Sequence, residues 1–177
     1  IVLELAAGEG GRFRKSMEDA VAQLRTAVPQ ILESERTREQ REALLEKYAV
    51  QQTENLQLFE KRAQKQKFTL VQVQVGPYTK PDVLPVIDGQ PVALENLGEL
   101  VAQGKVKEKR VAEIQQAYIE LNKELAKLFQ ANQKLQREKK AKLAALEYAI
   151  VKPVIEEALN EVRSAFANAQ VGDYLDA

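Results

Sequence analysis

The sequence has no cysteine and no histidine. Those two absences exclude thiol nucleophiles, disulfides, Cys/His zinc sites and any imidazole acid or base, which together serve most common enzyme chemistries. Tryptophan is also missing and there is a single methionine. Charge of a dominant sign is lacking as well, since 26 basic residues balance 26 acidic ones. A neutral chain carries no electrostatic footprint for nucleic acid or for an anionic membrane surface, so neither partner is expected. Long apolar runs are absent: the stretch 144–150 is broken by Glu147 and falls far short of the roughly 20 residues that a membrane span needs. The lack of cysteine fits a reducing compartment, and a cytoplasmic location is expected.

What remains is a chain of 177 residues with 45% hydrophobic content, enough for one ordinary packed domain. It opens on Ile1-Val2-Leu3 without a methionine and stops at Ala177, just after Val171-Gly172-Asp173-Tyr174-Leu175, which reads as a piece of a longer protein. Residues 1–6 form a short apolar run ended by Gly8, Gly10 and Gly11, the pattern of a strand entering a turn. From Ser16 the apolar positions Met17, Ala20, Val21, Leu24, Val28, Ile31 and Leu32 recur three and four apart, as on a helix that Pro29 should kink or divide.

Residues 34–67 contain no strong breaker. Leu45, Ala49, Gln52, Leu56, Phe59 and Ala63 follow a 4,3,4,3,4 spacing, a narrow seam along one helix face. Period two then takes over at Phe68-Thr69-Leu70-Val71-Gln72-Val73-Gln74-Val75, which predicts a strand. Gly76-Pro77 and Lys80-Pro81 punctuate a loop, residues 83–87 give a second strand, and Asp88-Gly89 is a hairpin signal. A short helix over 94–103 ends at Gly104.

The clearest periodicity follows. Val111, Ile114, Tyr118, Leu121, Leu125, Leu128, Asn132 and Leu135 repeat as 3,4,3,4,3,4,3, after which the apolar positions shift to Leu143, Leu146 and Ile150 as across a stutter. Pro153 marks a kink or a new start, and Val154, Ile155, Ala158, Leu159, Val162 and Phe166 form a broad face to pack on the first helix. The expected fold is mainly α. A helical base (1–33 and 152–177) carries a long antiparallel coiled-coil arm (34–67 and 105–151), with a small α+β knob of β-hairpin and short helix (68–104) at the far tip.

Several motifs reduce to structural readings. Gly8-Glu9-Gly10-Gly11 before Lys15-Ser16 resembles a phosphate loop, yet Arg14 stands where that loop requires glycine before the lysine, and Glu9 would repel phosphate. Carboxylate neighbours such as Glu33 and Glu35, or Glu156 and Glu157, lie beside basic residues at helical spacing, as on a solvated face. Ser16, Ser34 and Ser164 have no histidine to activate them and fit caps or surface positions. Asn132 fits a register-fixing polar residue in the seam, with Gln52 as its hydrogen-bonding mate. No catalytic residue, metal site or cofactor is expected. The residues that a two-strand knob cannot all bury, Phe68, Leu70, Tyr78, Val83 and Leu84, are the candidate substrate-binding set; the competing reading makes them the knob's own small core.

Three stretches carry a family resemblance: Leu3-Glu4-Leu5-Ala6-Ala7-Gly8-Glu9-Gly10 with Phe13 and Met17; Phe68-Thr69-Leu70; and Leu84-Pro85-Val86-Ile87-Asp88-Gly89-Gln90-Pro91. In this order they resemble the helical insertion of Lon-like proteases, especially the LonC type. In that family the insertion interrupts a degenerate AAA+ module, and a separate protease domain carries a Ser-Lys dyad. The resemblance implies a non-catalytic substrate-recognition or gating domain of an ATP-independent protease that degrades unfolded polypeptides. It also implies a parent that forms a homohexamer, and this fragment by itself is expected to be monomeric. The dyad lies outside this chain, so no catalytic residue is carried over. The alternatives are a purely structural or assembly arm, or a chaperone-like or adaptor module that binds one partner.

Overall fold

The computed structural model of the chain describes residues 3–166 and 168–176. It is mainly helical with one small antiparallel sheet, and it divides into two compact units, residues 1–46 with 139–177 and residues 47–138. The elements run α1 (Glu9–Leu32), α2 (Glu35–Lys65), β1 (Phe68–Val75), β2 (Tyr78–Ile87), β3 (Gln90–Pro91), α3 (Leu97–Ala102), α4 (Glu108–Ala165) and α5 (Ala169–Asp176), with a 3-10 turn at Leu94–Asn96.

In the first unit, Ala20 of α1 is buried with Ala158 and Val162 of α4, with Phe166 just after α4 and with Val171 of α5, and Phe13, Met17 and Leu24 pack around them. Of the apolar face expected to pack on α1, Ala158, Val162 and Phe166 share this core with Ala20. Phe13 meets the rings of Phe166 and Tyr174 edge-on, with centroids 5.4 Å and 5.9 Å away, the geometry that aromatic quadrupoles favour. Arg163 pairs with Asp176 and ties α5 to α4.

Four expectations for this unit need correction. The strand expected over 1–6 is not formed at Leu3–Ala6, and Ile1 and Val2 lie outside the described residues. Among the described residues of this unit no strand offers itself as a partner; instead the side chain of Gln170 accepts from the Glu4 N–H and that of Asn168 donates to the Glu4 carbonyl, each at 3.3 Å, while Leu3 and Leu5 lean on the core. Helix α1 starts at Glu9 instead of Ser16. Its first-turn N–H groups need no intrahelical partner, so Gly10 and Gly11 are tolerated there, and Gly8 at φ 87° makes the turn into it. Pro29 does not divide α1, which runs on through it to Leu32; its carbonyl still accepts from the Glu33 N–H at 2.9 Å. Pro153 starts no new helix either, since α4 runs through it.

Ser34 caps α2 as its residue type predicts. Its hydroxyl accepts from the Thr37 N–H at 3.3 Å and donates to the Ile31 carbonyl at 2.7 Å, where the Thr37 hydroxyl also donates at 2.7 Å. Four groups at a helix junction are thus satisfied locally, and Thr37 is buried.

The second unit has its own core: Phe59 and Ala63 of α2, Phe68 of β1, Val83 of β2, Leu97 of α3, and Ile114, Leu121 and Leu125 of α4. The seam positions of α4 are buried or half-buried along their length. On α2 the seam drifts. Leu45, Ala49 and Leu56 are exposed, while Leu44, Tyr48, Gln52, Asn55, Phe59 and Ala63 are buried or half-buried, a 4,4,3,4,4 spacing. A helix of 3.6 residues per turn rotates about 20° per heptad against a strict 3.5 repeat, so a face read at 3.5 slips off the core.

The sheet has order β1-β2-β3, all antiparallel, with Val75 paired to Tyr78 and Phe68 to Pro85. Strand β2 begins at Tyr78, five residues earlier than expected, and takes Lys80 and Pro81 into the sheet. The turn is only Gly76-Pro77, with Gly76 at φ 61°, a two-residue hairpin that needs glycine first. Asp88 and Gly89 both have positive φ, 52° and 81°, as the second tight hairpin requires. The short helix ends as predicted, with Gly104 at φ 72° while the N–H groups of Gly104 and Lys105 return to Val101 and Leu100.

Candidate protein-binding site

Alternation along β1 and β2 decides where each candidate side chain goes. Phe68 and Val83 point to the helices and are closed off, 2% and 0% exposed. Leu70 is half-buried against the same core, and Leu84 is half-buried. Tyr78 sits at the hairpin turn and is 76% exposed, the most open large apolar side chain in the described chain. The five are therefore split: two are core, two are partly accessible, and Tyr78 stands free. Sequence alternation alone could not have separated Phe68 from Tyr78, because both lie at strand ends.

Exposed apolar side chains that the periodic seams did not single out occur in the same unit. Val50 and Leu58 on α2 and Ile119 and Phe129 on α4 are each more than two-fifths exposed. The signal for them was available as apolar residues lying off both seams.

Polar groups around the hairpin are held in place. Tyr118 of α4 directs its hydroxyl at both carboxylate oxygens of Asp82, 3.4 Å from each, and Asp82 Oδ1 accepts from the Val83 N–H at 2.8 Å. Burial pushes the Tyr118 hydroxyl pKa above its ordinary value, and the Asp82 charge pushes it the same way. An open cavity of about 390 Å³ is lined by Phe68, Pro85 and Ile114 together with Lys67, Lys105 and Lys107. Asn132 is half-buried and its Oδ1 has no hydrogen-bond partner, so the expected bond from Gln52 to that oxygen is not made.

Among the described residues no group of three or more Asp or Glu is placed to hold a metal ion, and no helix is long and apolar enough to cross a membrane. No protein-family model matches the chain, nor does any curated protein or solved structure.

Proposed function

We propose that this chain is a non-catalytic protein-binding domain that captures unfolded polypeptides, and that it serves as the substrate-recognition or gating insertion of a Lon-like, ATP-independent protease acting in the cytoplasm. The observation that carries the reading is Tyr78: a large aromatic side chain held in water at the turn of a hairpin, in a unit that also exposes Leu58, Ile119 and Phe129. Separate apolar side chains without a deep pocket suit a ligand that offers apolar groups in no fixed shape.

In this reading α2 and α4 pair as an antiparallel coiled-coil arm, residues 1–33 and 152–177 serve as its base, and residues 68–104 are the knob it presents. Two cross-helix ion pairs support the pairing: Arg62 with Glu124 at 3.2 Å in one unit and Arg41 with Glu147 at 3.0 Å in the other. The parent protease, a homohexamer in this reading, supplies the Ser-Lys dyad.

A reduced and alkylated, permanently unfolded protein carrying a fluorophore tests the claim by anisotropy. Binding that weakens severalfold on Tyr78→Ala supports it; no binding by the intact chain sinks it. A second reading, a purely structural or assembly arm, draws on the closure of Phe68 and Val83 into the core and predicts that Tyr78→Ala changes nothing.

A further inference from the structure

The two outer edges of the sheet are built differently. The phase of the ladder is fixed by two bonds: the Val86 N–H donates to the Lys67 carbonyl at 2.7 Å, toward β1, and the Pro85 carbonyl accepts from Val92 at 2.9 Å, away from it. Main-chain groups of Tyr78, Lys80, Asp82 and Leu84 therefore face β1, and those of Thr79, Pro81 and Val83 face outward. That outward edge is blocked. Pro81 has no N–H, the Val83 N–H is taken by Asp82, and the end of β2 is covered by β3.

On β1 the outward groups belong to Phe68, Leu70, Gln72 and Gln74, and among the described residues nothing bonds them. Gln72 and Gln74 are exposed and Leu70 is half-buried. From Phe68 to Val75 there is no charge, no proline and no bulge, none of the devices that keep an edge strand solitary.

We propose that the open edge of β1 pairs with the same edge of a second copy of this chain, antiparallel about Gln72, joining the two sheets into one. The edge is its own complement. With Gln72 opposite Gln72 of the copy, the outward N–H and C=O groups of Leu70 meet those of Gln74, and Val71 meets Val73 twice at the closer, non-bonded spacing, where β-branched pairs pack well. An uncharged strand sets no like charges opposite each other in this arrangement. A second copy suits the edge better than an open-ended series of partners, because the blocked edge of β2 stops growth at two chains. A strand of this length buries less than the roughly 1,600 Å² of a standard interface, so the dimer is weak and the monomer expected of the isolated chain prevails when dilute.

Sedimentation velocity on the full chain from about 5 to about 500 μM tests this by mass action. The expected result is a sedimentation coefficient that climbs toward that of a dimer. Gln72→Lys should weaken association about fivefold by placing two ammonium groups opposite each other, and an equimolar mixture of Gln72→Lys and Gln72→Glu should restore it. Since the chain has no cysteine, Gln72→Cys should cross-link to itself on mild oxidation, while Lys80→Cys should not. A wild type that stays monomeric throughout overturns the proposal, as does a dimer indifferent to Gln72→Lys. Should the wild type stay monomeric while Gln72→Lys weakens binding of an unfolded protein, the edge belongs to an extended polypeptide instead.

Discussion

Asp82 accepts the main-chain N–H of Val83, the next residue in β2, at 2.8 Å, and so occupies the one outward donor that lies between Pro81 and Pro85. A carboxylate here acts on the sheet's edge as a side chain does at a helix cap, matching a group that would otherwise seek a partner strand. Asp82→Ala should cost about 1–2 kcal/mol through loss of this bond and of the contact with the Tyr118 hydroxyl, and leave the Val83 donor free. Urea denaturation measures the first effect. Light scattering should show association beyond two chains in the variant and not in the wild type.

Phe68 and Tyr78 bracket the hairpin yet should respond in opposite ways. Phe68→Ala removes a buried ring from the core of the second unit and should lower stability by about 3–5 kcal/mol in a denaturant titration. Tyr78→Ala removes a ring that stands in water and should stay within about 0.5 kcal/mol of the wild type, while weakening capture of an unfolded protein.

The side-chain oxygen of Asn132 is buried without a partner on a helix face otherwise lined by Leu125, Leu128 and Leu135. Leaving such a group unpaired costs about 1–3 kcal/mol, so Asn132→Leu should stabilise the chain by about 1 kcal/mol after packing losses. Thermal unfolding should show the rise. A fall would mean that the amide fixes the register of the helices.

Tyr118 gives a pH signature. Its folded-state pKa is raised, first by burial and then by Asp82, so the neutral hydroxyl is favoured by folding. The contribution is therefore present in full below the ordinary tyrosine value and is lost as pH rises through the higher folded value. Stability followed by chemical denaturation should fall in the alkaline range above about pH 10, and Tyr118→Phe should flatten part of that fall.

Much of the architecture is legible in the residues themselves. The eight-residue alternation from Phe68 to Val75 is a strand to its last position, Asp88-Gly89 turns as its two positive φ values demand, and Gly104 ends its helix. What could not be read depended on phase. Pro81 looks like a breaker, but it falls where a β2 residue directs its N–H away from β1, so the strand reaches back to Tyr78 and carries that ring out to the turn. On α2 the apolar residues at 3.5 spacing and the face turned to the core separate along the helix, leaving Leu45 and Leu56 outside and drawing Tyr48 and Asn55 in. For the candidate binding residues the difficulty was the same: a strand of mixed apolar character does not say which of its faces the helices will cover, and that choice closed Phe68 and Val83 while leaving Tyr78 open.

The most direct test of the central claim is an amide and methyl NMR titration of the labelled chain with one protein in its folded and its permanently unfolded forms. Shifts at Tyr78 and its neighbours in residues 68–104 are expected with the unfolded form alone. A spectrum unchanged by both forms, or shifted equally by both, would contradict it.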